Sequence, residues 1–238
     1  LFPIHRVDHP INKALAAARW VFTRDGIAAS NIWEVGGLIR GNDTVPYANL
    51  QYHFGPVGFE YTGNKISLSQ AFCVHVDQLR PRSRGAVTLA SADPNDDPLL
   101  NFNYYAVASD MAEMVEGVKK TRDLVAQSAF DGLRGAAIDP GDEIRTDADI
   151  EKWVRGNSET DFHPCGTCRM GQGADAVVDP EFRVHGIDGL RVVDASVMPR
   201  ITSGNLNAPT QMIAARAADY ILGNAQLAPM VTDRTASS

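Results

Sequence analysis

The segment richest in chemically active residues is Asp161-Phe162-His163-Pro164-Cys165-Gly166-Thr167-Cys168-Arg169-Met170-Gly171. Its Cys-x-x-Cys spacing suits half of a zinc site, a redox pair, or two small buried side chains. A closed zinc site needs four ligands, and the only other cysteine in the chain is Cys73. A redox pair typically opens a helix after a strand, whereas this pair lies in a Gly/Pro loop. We therefore favour packing for both cysteines and expect no metal.

His163 is the residue of this stretch best suited to catalysis. The proline that follows it favours an extended backbone, and small residues nearby would let a ligand approach closely. An imidazole changes its charge near neutral pH, which suits proton transfer. On these residues alone, a purely structural histidine is the more frequent case, so both roles stay open.

A second segment with chemical potential runs over residues 192–210. A predicted strand ends in Asp194-Ala195-Ser196, and a Gly/Asn-rich loop then leads into a predicted helix at 209–222. The free N–H groups of a helix N-terminus stabilise anions, so the loop could meet an anionic ligand. An Asn-rich helix cap with no ligand is the alternative.

The remaining pattern predicts strands first and helices afterwards. Apolar residues at helical spacing predict helices over 12–23, 109–128 and 147–155, the last capped by Thr146. Strands are predicted over 31–40, 49–54, 70–76 and 85–90, with a basic turn at 80–84 joining the last two. This order favours an antiparallel sheet followed by helices, and residues from 225 onward read as a polar tail.

Composition excludes several functional classes. The chain has 238 residues, of which 44% are hydrophobic and 21% charged, as in ordinary globular proteins. Its net charge of −7 argues against binding nucleic acid. It contains no apolar run of the ~20 residues that a membrane-spanning helix needs. Because its start lacks both a signal-peptide pattern and a methionine, we expect a cytoplasmic chain that is processed, cleaved or a fragment. Its three cysteines suit a reducing compartment.

Several segments in order carry a resemblance to a known family. Those in the second half of the chain are His163–Gly171, Val178–Pro180, Arg183–Gly186, Gly189–Ser196 and Gly204–Thr210. Together they resemble the C-terminal signature of the glucose–methanol–choline (GMC) oxidoreductases. Upstream segments resemble the choline dehydrogenase branch of that family: Ala29–Asn31, Gly36–Arg40, Gln51–Phe54, Ser83–Gly85 and Phe102–Tyr104. The resemblance covers roughly residues 1–223.

The resemblance implies an α+β fold in several parts. Residues 1–160 would form the C-terminal part of a substrate-binding domain, an antiparallel sheet flanked by helices. Residues 161–223 would supply the catalytic loop and the strand-loop-helix that completes an FAD-binding domain, and 224–238 a flexible tail. The Gly-x-Gly-x-x-Gly fingerprint that holds the adenine end of FAD is absent from this sequence. The implied partner is therefore an N-terminal Rossmann half of the same protein.

The resemblance also implies an activity and its residues. Members of the family oxidise an alcohol by removing its hydroxyl proton and passing a hydride to flavin N5, here from a primary, choline-like alcohol to the aldehyde. His163 matches the catalytic histidine and Asn205 its partner, whereas His53 matches a histidine of the substrate pocket. The implied FAD contacts are Asp194, Ala195, Asn207, Pro209 and Thr210.

Other features stay open at this point. The glutamate that faces the trimethylammonium group in choline-oxidising members has no match in the chain, and Glu34 is the nearest acidic candidate. The electron acceptor is open between oxygen and a quinone-type carrier, which would bring the protein to a membrane. Homo-oligomerisation is open as well. The alternative to an enzyme is a non-catalytic remnant that acts as an interaction domain.

Overall fold

A computed structural model of the chain describes residues 4–62 and 65–230. The helices within these residues are α1 (Pro10–Thr23), α2 (Ala108–Val125), α3 (Asp147–Asn157) and α4 (Asn207–Leu222). The strands are β1 (Val35–Ile39), β2 (Leu50–Gly55), β3 (Gly58–Thr62), β4 (Lys65–Ser69), β5 (Cys73–Gln78), β6 (Ala86–Thr88) and β7 (Leu99–Asn101). All ladders between these strands are antiparallel, so the predicted α+β class with antiparallel sheets is confirmed. No described helix has the length and apolar character needed to cross a membrane.

The strands divide among three sheets rather than one. Strand β2 lies between β1 and β5, whereas β3 pairs with β4 and β6 pairs with β7. The predicted basic turn at 80–84 therefore does not join two neighbouring strands. The backbone N–H groups of Arg82 and Ser83 instead donate to the carboxylate of Asp110, at 2.7–3.0 Å. Asp110 is buried on α2, so these bonds hold the segment against the helix.

Contacts between Cα atoms separate the chain into two compact units. The first contains residues up to Arg84 together with Asn103–Asp161, and the second contains Gly85–Phe102 together with residues from Phe162 onward. This partition assigns β6 and β7 to the second unit. The predicted domain boundaries at residues 160 and 223 stay predictions.

The first unit is built on β1, β2 and β5 with α2 and α3. One face of β2 carries Leu50 and Tyr52, which are both buried, and a Cβ added to Gly117 of α2 would meet Leu50 and Val76. Helices α2 and α3 share a core of buried apolar side chains: Met111, Val115, Val118, Ile150 and Val154. Helix α3 begins as predicted, because Thr146 and Asp149 form a reciprocal capping box.

The second unit has a small core between α4 and the irregular chain before it. Its buried residues are Val178, Phe182, Val197 and Ala217. Isolated bridges join Met170 to Val178 and Arg183 to Arg191, and the short strand predicted before Asp194 is reduced to the single bridge at Arg191. Helix α4 ends at Gly223, which adopts the left-handed conformation that favours glycine at this position.

Candidate active site

The second unit brings His163 and Asn205 into direct contact. Asn205 Nδ2 lies 2.8 Å from His163 Nε2, although the two residues are 42 positions apart. The asparagine amide nitrogen can only donate, so the contact is a hydrogen bond to the imidazole in the tautomer that leaves Nε2 without a proton. Asn205 is exposed and His163 is half-buried. The pair is therefore accessible to a small ligand.

The loop of His163 is fixed by hydrogen bonds to the turn that follows Asp194. Cys168 N donates to Ser196 O at 3.0 Å, and Met170 N donates to Val197 O at 2.8 Å. Gly166 has a φ of 91°, and a Cβ there would lie 3.2 Å from Met198 O. Only glycine fits this turn without strain, which explains its place in the motif. Cys165 and Cys168 are half-buried, compatible with the packing role expected for them.

The residues predicted to contact a flavin belong to the same unit. Asp194 caps the short 3-10 turn Ala195–Val197, and its carboxylate accepts from Ser196 N at 2.7 Å. Because this bond engages the Asp194 carboxylate within its own turn, a ligand would contact mainly the backbone of the turn.

The N-terminus of α4 offers donors to an incoming group. The N-cap is Leu206, which forms no side-chain cap, so the first N–H groups of the helix receive no acceptor from it. Asn207 is exposed and accepts from Gln211 Nε2 at 3.1 Å, while the Thr210 hydroxyl donates to Leu206 O at 2.7 Å. These donors suit an anionic or oxygen-rich ring edge, which fits FAD. The individual flavin contacts of Asp194, Ala195, Asn207, Pro209 and Thr210 stay predictions.

His53 lies in the first unit, on β2, and has polar neighbours that sequence reasoning missed. Its Nε2 is 3.1 Å from Asp77 Oδ2 and 2.9 Å from Gln51 Nε2. Asp161 completes a cluster in which one donor atom from each of His53, Asp77 and Asp161 lies within 4.8 Å of the others. The alternation of β5 places His75 and Asp77 on one side, but only the register with β2 shows that this side faces His53.

The electrostatics of this cluster are unusual for a sheet surface. Burial, and after it the negative charge of Asp161, raises the pKa of Asp77 from its ordinary value near 3.8 to about 6. Burial also lowers the pKa of His75, and the neighbouring His53 lowers it further. Glu34, the acidic candidate suggested by the sequence, is exposed just before β1 and is not a member of this cluster.

The chain is similar to known proteins over most of its length. A family model described as GMC oxidoreductase matches residues 81–214. An oxygen-dependent choline dehydrogenase of Paraburkholderia phymatum is 48% identical over 217 residues, which cover 91% of this chain and 38% of that protein. Its counterpart in Brucella ovis is 45% identical over 219 residues, covering 91% and 40%. The chain therefore spans about two fifths of the length of these relatives.

Solved structures show the same architecture. A structure of formate oxidase from Aspergillus oryzae, which addresses the effect of a mutation on its FAD modification, superposes with a TM-score of 0.75 at 26% identity. That superposition covers 91% of this chain and 42% of the oxidase. Pyridoxine 4-oxidase from Mesorbium loti gives 0.68 at 26% identity, covering 80% and 38%. With the family model matching more than half of its residues, this chain belongs to the GMC oxidoreductase family.

Proposed function

We propose that the chain is the C-terminal part of an FAD-dependent alcohol dehydrogenase that oxidises a primary, choline-like alcohol to its aldehyde. The observation that carries the proposal is the 2.8 Å contact between His163 Nε2 and Asn205 Nδ2. An enzyme that removes a hydroxyl proton needs a base and a donor at the same oxygen. The similarity to choline dehydrogenases supports the choice of substrate.

The two side chains have complementary tasks. His163 Nε2 carries a lone pair and can accept the hydroxyl proton of the alcohol. Asn205 Nδ2 can then donate to the alcohol oxygen as negative charge develops there. The two nitrogen atoms bond each other directly at 2.8 Å, so an alcohol hydroxyl would replace that bond as the side chains move apart, and would then contact both in a fixed orientation. FAD, when bound, supplies the hydride acceptor.

The chain would supply only some of the contacts that bind FAD. The turn at Asp194–Val197 and the N-terminus of α4 would contact the isoalloxazine ring. The dinucleotide fingerprint that holds the adenine end is absent from this sequence, so we infer an N-terminal FAD-binding half as the partner. We also propose that the protein is located in the cytoplasm.

The test is steady-state oxidation of choline with a dye acceptor, using the full-length polypeptide that contains this chain. We expect His163→Ala to lower kcat about 10²- to 10⁴-fold, because acid–base groups typically contribute that much. His185→Gln is the matched control, since His185 lies in the same unit and bonds the Gly171 carbonyl at 3.0 Å. A rate for His163→Ala within about threefold of the original would refute the assignment.

The colour of the purified full-length protein distinguishes the enzyme proposal from a non-catalytic interaction domain. If the full-length protein purifies yellow with bound FAD and oxidises alcohols, the enzyme proposal stands. A colourless, folded and inactive protein would favour the interaction domain. The contact between His163 and Asn205 supports the enzyme, because a binding module has no need of an accessible imidazole paired with an amide.

A further inference from the structure

Two phenylalanines of the second unit have a left-handed backbone. Phe162 has a φ of 58° and Phe182 has a φ of 68°. A residue with a side chain meets steric crowding in this region, and a bulky aromatic residue is rarely found there. Each of the two positions therefore needs an interaction that compensates for the crowding, or a function that retains it.

Burial in the core compensates for the crowding at Phe182. Its side chain is 2% exposed and belongs to the core of the second unit. The ring meets that of Tyr220 edge to face, with 6.2 Å between the ring centres. Its backbone N–H donates to Asp179 O at 2.9 Å, and its carbonyl accepts from Val192 N at 3.1 Å. Packing and hydrogen bonds therefore hold Phe182 in the left-handed conformation.

Phe162 is different, because its side chain is 83% exposed in this chain. Packing of the ring therefore offsets little of the crowding in the backbone. The residue directly precedes His163, whose Nε2 lies 2.8 Å from Asn205 Nδ2. Uncommon backbone conformations are concentrated at active sites, where they help to preorganise functional groups. The place of Phe162 in the chain is that of a residue with such a role.

The conformation of Phe162 affects the direction of the imidazole that follows it. Pro164 restricts His163 from the other side, because a residue before proline favours an extended backbone. The loop beyond is tied to the turn after Asp194 by two backbone hydrogen bonds, at 3.0 and 2.8 Å. Since the chain is restricted beyond His163, a rotation of Phe162 out of the left-handed region would turn the imidazole away from Asn205. A displacement of about 1 Å at a reacting group can lower a rate about 10²-fold.

We propose that Phe162 is a positioning residue, whose left-handed backbone holds His163 Nε2 at Asn205 in the orientation that the reaction uses. This inference rests on the proposed function, because it treats His163 as the base. The role belongs to the backbone of Phe162 and not to its ring. The rate should therefore follow how well the residue at position 162 tolerates the left-handed conformation, whatever its size or aromatic character.

The test compares Phe162→Asn with Phe162→Val in the oxidation of choline by the full-length polypeptide. The two new side chains are similar in size and neither is aromatic, but asparagine tolerates the left-handed region and β-branched valine does not. We expect Phe162→Asn to keep kcat within about threefold of the wild type. Phe162→Val should lower kcat about 10- to 100-fold and change KM less than about threefold, because an interaction used in the transition state is weakened. The matched control is Ile187→Asn, since Ile187 is 54% exposed in the same unit and its backbone is not left-handed.

The outcomes distinguish this inference from the proposed function. If His163→Ala abolishes the activity but the kcat of Phe162→Asn is no higher than that of Phe162→Val, the positioning role is wrong and the enzyme assignment stands. If Phe162→Val does not fold, Phe162→Leu takes its place, because leucine also disfavours the left-handed region, and a kcat equal to or above that of Phe162→Asn overturns the inference. If no alcohol is oxidised at all, the proposed function fails. Crystal structures of the two variants then test the inference: a contact between His163 and Asn205 that is kept in Phe162→Asn and lost in Phe162→Val supports it, and any other result overturns it.

Discussion

Asp77→Asn should stabilise the folded protein at neutral pH, and the stabilisation should disappear in acid. The side chain of Asp77 is only 22% exposed, and it lies beside the second carboxylate, Asp161. Both features disfavour its charged form, which is why its pKa rises from near 3.8 to about 6. Asparagine has nearly the same shape and carries no charge, so the substitution removes the penalty with little change in packing.

The direction of the pH effect follows from proton binding. In the unfolded chain Asp77 loses its proton near its ordinary pKa of 3.8, whereas in the folded state it holds the proton up to about pH 6. Between these values the folded state binds more protons, so the free energy of unfolding falls as pH rises. The decrease in the free energy of unfolding is complete once the pH is well above 6, because Asp77 is then charged in both states. A gap of about two pH units corresponds to about 3 kcal/mol, and the attraction of His53 for the charged form is already included in that gap.

The assay is urea unfolding of the wild type and Asp77→Asn at intervals from pH 4 to pH 8. We expect the variant to be more stable by about 1–3 kcal/mol at pH 8 and the difference to shrink towards zero at pH 4. Taking the difference cancels the titration of the other groups. The exposed Asp97→Asn is the matched control for the loss of a surface carboxylate. If the Asp77→Asn difference is also constant over this range, or if the variant is less stable at pH 8, the reasoning about a buried, repelled carboxylate is refuted.

Other substitutions test the framework around the site. Thr146→Ala should lower stability by about 1 kcal/mol in urea unfolding through loss of the α3 capping box, and an unchanged midpoint would contradict that role. Gly166→Ala forces a Cβ onto a left-handed residue and should cost about 1–3 kcal/mol by thermal unfolding; a variant as stable as the wild type would show that the loop can relax. The double substitution Cys165→Ser and Cys168→Ser should leave the rate of alcohol oxidation within about threefold, because neither thiol has a chemical role in the proposed reaction. A loss of FAD or metal from that variant would reopen the ligand or redox alternatives.

Local signals account for most of the helices that were predicted from sequence. Helix α3 follows a capping pair three residues apart, and α2 follows an apolar repeat of about 3.6 residues. Helix α4 begins at Asn207, two residues before the predicted start at Pro209, because proline is tolerated within the first turn. Each of these features depends on residues within about one helical turn, so the local sequence is sufficient to predict it.

The strands show where local reasoning fails. The pair β3 and β4 was missed, although Gly63-Asn64 between them is a dipeptide typical of hairpins. The pairing of β5 with β2, rather than with the strand after the basic segment, depends on distant residues. Asp110 decides it in part, because its carboxylate binds the backbone of Arg82 and Ser83 from a helix about 27 residues away. A buried carboxylate on a distant helix leaves no pattern in the sequence of the strands themselves.

The chemistry of this chain is assembled by the same long-range contacts that sequence patterns do not encode. His163 and Asn205 are 42 residues apart, and their contact was anticipated only because the motifs resemble a family. No motif marks Asp77, which becomes significant only through its register with Gln51 and its distance from His53. A polar face on a half-buried sheet is unfavourable for folding. The raised pKa of Asp77 reflects that cost, because burial and the charge of Asp161 both disfavour the charged carboxylate.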